Sequence, residues 1–149
     1  MQDEKISTST MLQRLFKTSG ISRFVRHYEK QMEGVPFDVR LAELCAEKDL
    51  MPKHVILNSG IERTYGYQLF NGNRTPSRDK VVMLAIGFGL DYDEAQSLLK
   101  IARKSPLYPK LKRDVVLIYA IQNKKSIEDI QATMHELGLA LLGKEDRYD

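Results

Sequence analysis

Apolar residues recur along this chain at intervals of three and four, and no segment alternates polar and apolar as a half-buried strand would. Met11, Leu12, Leu15 and Phe16 form the first stripe, closed by Ser19-Gly20. Ile21, Phe24, Val25, Tyr28 and Met32 form the second, ended by Gly34 and Pro36. A third stripe, Phe37, Leu41, Leu44 and Cys45, must stop before Pro52. The fixed φ of Pro52 suits the first turn of a further helix that buries Val55 and Ile56 and ends at Gly60. The next helix is expected over residues 61–70, closed by Asn71-Gly72. Thr75-Pro76-Ser77 opens another, with Val81, Leu84, Ala85 and Phe88 inward. Asp91 and Glu94 have capping-box spacing ahead of Ala95, Leu98, Leu99 and Ala102. Ser126 and Asp129 repeat it ahead of Ile127, Ile130, Met134 and Leu137. Between them, residues 105–109 carry two prolines and read as a loop, while residues 114–121 are apolar on most sides, as a buried helix is. Because the stripes run through the whole chain, they predict one compact all-α unit.

The size, 149 residues, is that of one ordinary domain. With 42% hydrophobic and 29% charged residues and only five Pro, the composition excludes disordered and fibrous classes. A net charge of +3 excludes a uniformly basic coat, but the charge is unevenly placed. Residues 100–113 hold six basic side chains and no acid; residues 51–80 hold five against Glu62 and Asp79; from Ser126 onward acids dominate. That asymmetry suggests one polyanion-facing side. The run at 100–113 either extends that side or is a hinge that docks the acidic tail of the same or a second chain.

Cys45 is alone, so no intramolecular disulfide can form, and none of His27, His54 and His135 lies near it in sequence to activate it. A small buried thiol is expected. The start of the chain is polar and acidic, and the longest apolar run, residues 81–90, is about half the ~20 residues a membrane helix needs. A cytoplasmic protein without membrane contact is therefore expected, in which the sequon Asn73-Arg74-Thr75 is incidental. The chain has no glycine-rich phosphate loop, paired-histidine zinc motif, dinucleotide fingerprint or nucleophile elbow. Neither enzymatic activity nor a metal or cofactor is expected.

The informative segment is residues 52–72. A short helix, a tight turn at Gly60 and a second helix closed by Asn71-Gly72 is the layout of a helix-turn-helix. On these features residues 37–99 resemble the phage Cro/repressor-type (Xre) family of DNA-binding proteins. The segments Tyr65-Gly66-Tyr67-Gln68-Leu69-Phe70, Pro76-Ser77-Arg78-Asp79-Lys80 and Ser105-Pro106-Leu107-Tyr108-Pro109, with Arg113-Asp114, look like a small bacterial subgroup of it. The resemblance implies a Cro/repressor-like bundle of about five helices, preceded by a helical extension over residues 1–36 and followed by another over 100–149. It also implies that helix 61–70 is the recognition helix. Two positions exchange sizes relative to the family's pattern: Ile56 stands where a small residue is usual, and Gly66 where a branched one is. The Ile56 side chain is expected to fill the space Gly66 vacates.

Helical spacing puts Arg63, Thr64, Tyr67, Gln68 and Asn71 on one face of the recognition helix, with Tyr65, Gly66, Leu69 and Phe70 inward. Arg63 suits guanine, Gln68 adenine and Thr64 a thymine methyl, while Tyr67 can reach a phosphate or sugar. Phosphate contacts are expected from Lys53 and His54, beside the free amides of the first turn after Pro52, from Asn71, and from Arg74, Arg78 and Lys80 beyond. For Arg78 the alternative is a structural pairing with a distant acid. Asp79 is expected to pair with a base or to sit in the positive field of its helix start. The reading that results is a sequence-specific, double-stranded-DNA-binding transcription regulator, with a homodimer expected for two-fold operators. The alternative is a module that keeps this scaffold but binds a partner protein, antitoxin-like, through its C-terminal helices.

Overall fold

A computed structural model describes residues 6–32 and 34–144, and all regular structure in them is helical. These residues hold nine helices, one for each segment that the spacing marks. The contacts divide the chain between Val35 and Pro36 into two units, where continuous stripes had suggested one. Periodicity marks which residues face inward, not what they face.

The first unit is a hairpin of α1 (Thr8–Lys17) and α2 (Ile21–Met32). Ser7 caps α1 by accepting the Thr10 N–H. Phe24 and Tyr28 of α2 are buried with ring centroids 4.7 Å apart, and Arg14 of α1 donates to the Tyr28 hydroxyl at 3.0 Å.

The second unit comprises α3 (Phe37–Lys48), α4 (Pro52–Ser59), α5 (Arg63–Phe70), α6 (Arg78–Phe88), α7 (Tyr92–Ile101), α8 (Lys112–Gln122) and α9 (Ile127–Glu136). Its centre is α6, which buries Val82, Met83 and Gly87 besides the four inward residues expected. Against it lies α4, so close that a Cβ at Gly87 would stand 2.4 Å from the Val55 carbonyl oxygen; only glycine permits that approach. The capping box at Asp91 and Glu94 is complete, and Ser126 caps α9 by accepting the Asp129 N–H. Cys45 is half-buried against the same core, which pushes its thiol pKa up.

One expectation about the C-terminal segment needs correction. Residues 114–121 are not buried on most sides: α8 buries Asp114, Leu117, Ala120 and Ile121 but exposes Val115 and Tyr119. The C-terminal extension does pack with the helices before it, as expected: Ile127, Ile130, Met134 and Leu142 join the core formed by α3 to α7.

A reciprocal pair of ion bridges fixes α8 to α6. Arg78 at the start of α6 grips the Asp114 carboxylate with both terminal nitrogens, at 3.0 and 2.9 Å. Asp79, beside it, is gripped by Arg113 through two bonds of 2.8 Å and also accepts the Gly143 N–H. The fork geometry of arginine matches a carboxylate in this way, and both acids lie in the core, 0% and 2% exposed.

Candidate nucleic-acid interface

The turn between α4 and α5 is set by two residues. Gly60 adopts the left-handed conformation, φ 75°, that ends α4. Ser59, fully buried, donates its hydroxyl to the Ile56 carbonyl at 2.6 Å and accepts the Ile61 N–H at 3.1 Å. Sequence reasoning passed over Ser59, although a hydroxyl beside a helix-ending glycine is suited to such a bond. The chain then turns Ile61 into the core, and the Glu62 carboxylate caps α5 by accepting the Thr64 and Tyr65 N–H groups, each at 2.9 Å. Hence α5 begins at Arg63, two residues later than expected.

The angle between α4 and α5 rests on the size exchange. Gly66 is buried, and a Cβ there would lie 2.6 Å from Cγ2 and 2.8 Å from Cγ1 of Ile56. The Ile56 side chain thus occupies the place of the missing one, as expected.

On the outer face Arg63, Thr64 and Asn71 are exposed, and Tyr67 and Gln68 are half-buried. On the inner side Gly66 and Leu69 are buried, with Tyr65 and Phe70 packed on the core. The division between faces is the one helical spacing predicts. Arg63 lies 5.9 Å from the Tyr67 ring centroid, which restrains its long stem. Arg74 reaches back across the Asn71-Gly72 turn: its Nε donates to Gln68 Oε1 at 2.9 Å, and its guanidinium lies 4.2 Å from the Tyr65 ring centroid. The Lys80 ammonium lies 4.9 Å from the same ring. Tyr65 therefore gathers two cations at the C-terminal end of α5, and Arg74 holds the Gln68 amide in one orientation. Neither role was apparent in the sequence, which shows charge but not stacking.

At the other flank Lys53 and His54 are exposed in the first turn of α4. Its N-cap residue, Met51, makes no side-chain capping bond. The His54 and Val55 amides both donate to the Met51 carbonyl, and Pro52 has no N–H, so this terminus offers the Lys53 amide rather than a set of free ones.

Arg78 is a correction. It was placed among the phosphate contacts, but its donors serve Asp114 and the Ser105 and Pro106 carbonyls. The structural alternative holds. Asp79, for its part, pairs with Arg113 in the first turn of α6. Among the described residues, Arg63 lies on the outer face of α5, Arg74 and Lys80 lie against its Tyr65 ring, and Lys53 is exposed at the start of α4.

The Glu62 carboxyl is held below the usual carboxylate range, first by the Thr64 N–H and then by the Tyr65 N–H. A depressed folded-state pKa stabilises the fold above the unfolded-state pKa, and that stability is lost as pH falls through the folded value. Glu62→Ala is expected to lower the thermal midpoint at neutral pH, with the gap from the parent protein closing in acid. A gap that does not change with pH would show that the cap contributes nothing as a carboxylate.

Among the described residues no group of three or more His, Cys, Asp or Glu is placed to hold a metal ion, and no helix is long and apolar enough to cross a membrane. Compared with known proteins, the chain matches no protein-family model, no curated protein and no solved structure.

Proposed function

We propose that the chain is a sequence-specific DNA-binding protein of the Cro/repressor type, acting in transcription regulation by inserting α5 into the major groove. One observation carries the reading: α5 follows a tight, hydroxyl-braced turn and presents Arg63, Thr64 and Gln68 outward, with Arg74 folded back against it. Arg63 would pair with guanine and Gln68 with adenine, Thr64 would meet a thymine methyl, and Tyr67 would lie along the sugar–phosphate edge. Lys53 and His54 on one side, and Asn71, Arg74 and Lys80 on the other, would set register on the phosphates.

Selection from randomised duplexes, followed by affinity measurements on variants, tests the proposal. Arg63→Ala and Gln68→Ala are each expected to flatten preference at one base position, by ~1–3 kcal/mol. Lys53→Ala is expected to weaken all duplexes alike and reduce the salt slope by about one. Arg74→Ala should do both, since Arg74 holds Gln68. Variants with unchanged base preference would remove α5 from the reading.

A partner protein is the second reading, favoured by one surface. Leu111, Val115 and Tyr119 line up four residues apart along α8 and are about half exposed or more, beside a groove of about 390 Å³ between α8 and α9.

A further inference from the structure

The α1–α2 hairpin is an incomplete structure. Its described helices bury only Phe24 and Tyr28, whereas Leu12, Phe16, Ile21, Val25 and Met32 are exposed, Phe16 by 80%. The Ile6 N–H donates to Gln31 Oε1, joining the open ends of the hairpin and making its helices antiparallel.

The exposed residues follow a rule. Leu12 comes one position after the half-buried Met11, Phe16 one after the half-buried Leu15, and Val25 one after the buried Phe24. One position is a rotation of about 100° in a fixed sense. On two antiparallel helices the same rotation brings both displaced ridges out on a single face of the hairpin. Ile21 and Met32 share the ridge of Val25 by helical spacing. The result is one continuous apolar face made by both helices.

The charges around this face decide what covers it. By the same count Ser9, Gln13 and Ser22 border it, with Glu29 the nearest charge and Lys17 and Arg26 the next, while Arg14, Arg23 and Lys30 fall on the far side. A helix that lies on an anionic lipid surface carries its basic residues at the edge of the apolar face, where the headgroups are. Here the nearest charge is an acid, and the rim mixes both signs. Such a rim suits an identical face, because pairing can set the acid of one copy against a base of the other. Two hairpins face to face also make a four-helix arrangement, the smallest that closes an apolar layer of this kind.

We propose that the hairpin is the dimerisation element of the chain, two copies pairing through the face formed by Leu12, Phe16, Ile21, Val25 and Met32. Pairing leaves the basic sides of the hairpins outward and holds two copies of the second unit on one assembly. The inference stands apart from DNA binding and does not need it.

Sedimentation equilibrium of the full chain, without DNA, is the test. The parent protein is expected to be a dimer. Phe16→Glu on α1 and Ile21→Glu on α2 each place a charge on a side chain exposed within one copy, so helical circular dichroism should be unchanged. Each variant is expected to weaken association about a hundredfold. Any of three results would overturn the proposal: a parent protein monomeric at every concentration, a dimer indifferent to both variants, or a dimer that Tyr119→Glu dissolves instead. Binding of a monomeric parent protein to vesicles of anionic phospholipid would also overturn it, and would assign the face to a membrane surface.

Discussion

Arg113→Ala is expected to destabilise the second unit by ~3–5 kcal/mol, measured by chemical denaturation. The basis is what the substitution leaves behind. Asp79 is fully buried, and Arg113 grips its carboxylate with two short hydrogen bonds. Without that guanidinium the buried carboxylate loses both of them, and Ala140 and Leu141 lose the bonds their carbonyls accept from Arg113. Arg113→Lys should recover little, because one ammonium cannot reproduce a planar fork. Removing both members, as in Arg113→Met with Asp79→Leu, should cost less than Arg113→Met alone, since the penalty comes mainly from a buried carboxylate that has lost its guanidinium. The neighbouring bridge from Arg78 to Asp114 is expected to couple to it, and the two losses will not add. A loss below about 1 kcal/mol for Arg113→Ala would mean that the pair behaves as a surface bridge.

Gly66→Val is the second large effect, ~1–3 kcal/mol of stability and a displaced α5. A β-branched side chain at 66 needs the space Ile56 now fills, at distances well inside contact. The Ile56 side chain has little room to yield, being itself 3% exposed. Ile56→Ala alone opens a cavity and should cost ~2–5 kcal/mol. Combining the two restores the size pattern of the Cro/repressor-type motif, so the double variant should lie well above the sum of the two losses. An unchanged melting temperature for Gly66→Val, or strict additivity, would show that the two side chains do not compete for one volume. Gly66→Ala is a poorer test, because removing glycine from a helix gains up to ~1 kcal/mol and masks the clash.

Much of the second unit was legible because it is written in local signals. The apolar stripes, Pro52, Gly60, the Asn71-Gly72 close and the Asp91–Glu94 box each act within a few residues, and each stands where spacing put it. The fit of Ile56 to Gly66 was legible too, because two departures in size lay opposite each other. What escaped depends on partners far apart in sequence. Arg78 and Arg113 looked like other basic residues until Asp114 and Asp79, over thirty residues away, were placed beside them. The start of α5 slipped by two residues because glutamate is an uncommon cap and Ile61 belongs to the core without being helical. On the outer face, spacing separated the exposed residues from the inward ones but did not show the brace from Arg74 to Gln68, which crosses a turn. The boundary after Val35 was hidden because the hairpin has the same periodicity as the rest while leaving half its stripe exposed.

The basic run at residues 100–113 divides along the same line. Arg113 is a structural residue, while Lys100, Arg103, Lys110 and Lys112 are exposed. The positive surface that matters for the proposal is thus the smaller set around α5, and its effect should be readable in salt.

The most direct test is the affinity of the full chain for its best duplex from a randomised-site selection, against a scrambled duplex, between about 50 and 200 mM salt. Phosphate contacts by Lys53, Arg74 and Lys80 give an expected log–log salt slope of about −3 per protomer, with the selected duplex bound at least ~10³-fold more tightly than the scrambled one. Failure of both duplexes to bind at the lowest salt would contradict the DNA-binding account.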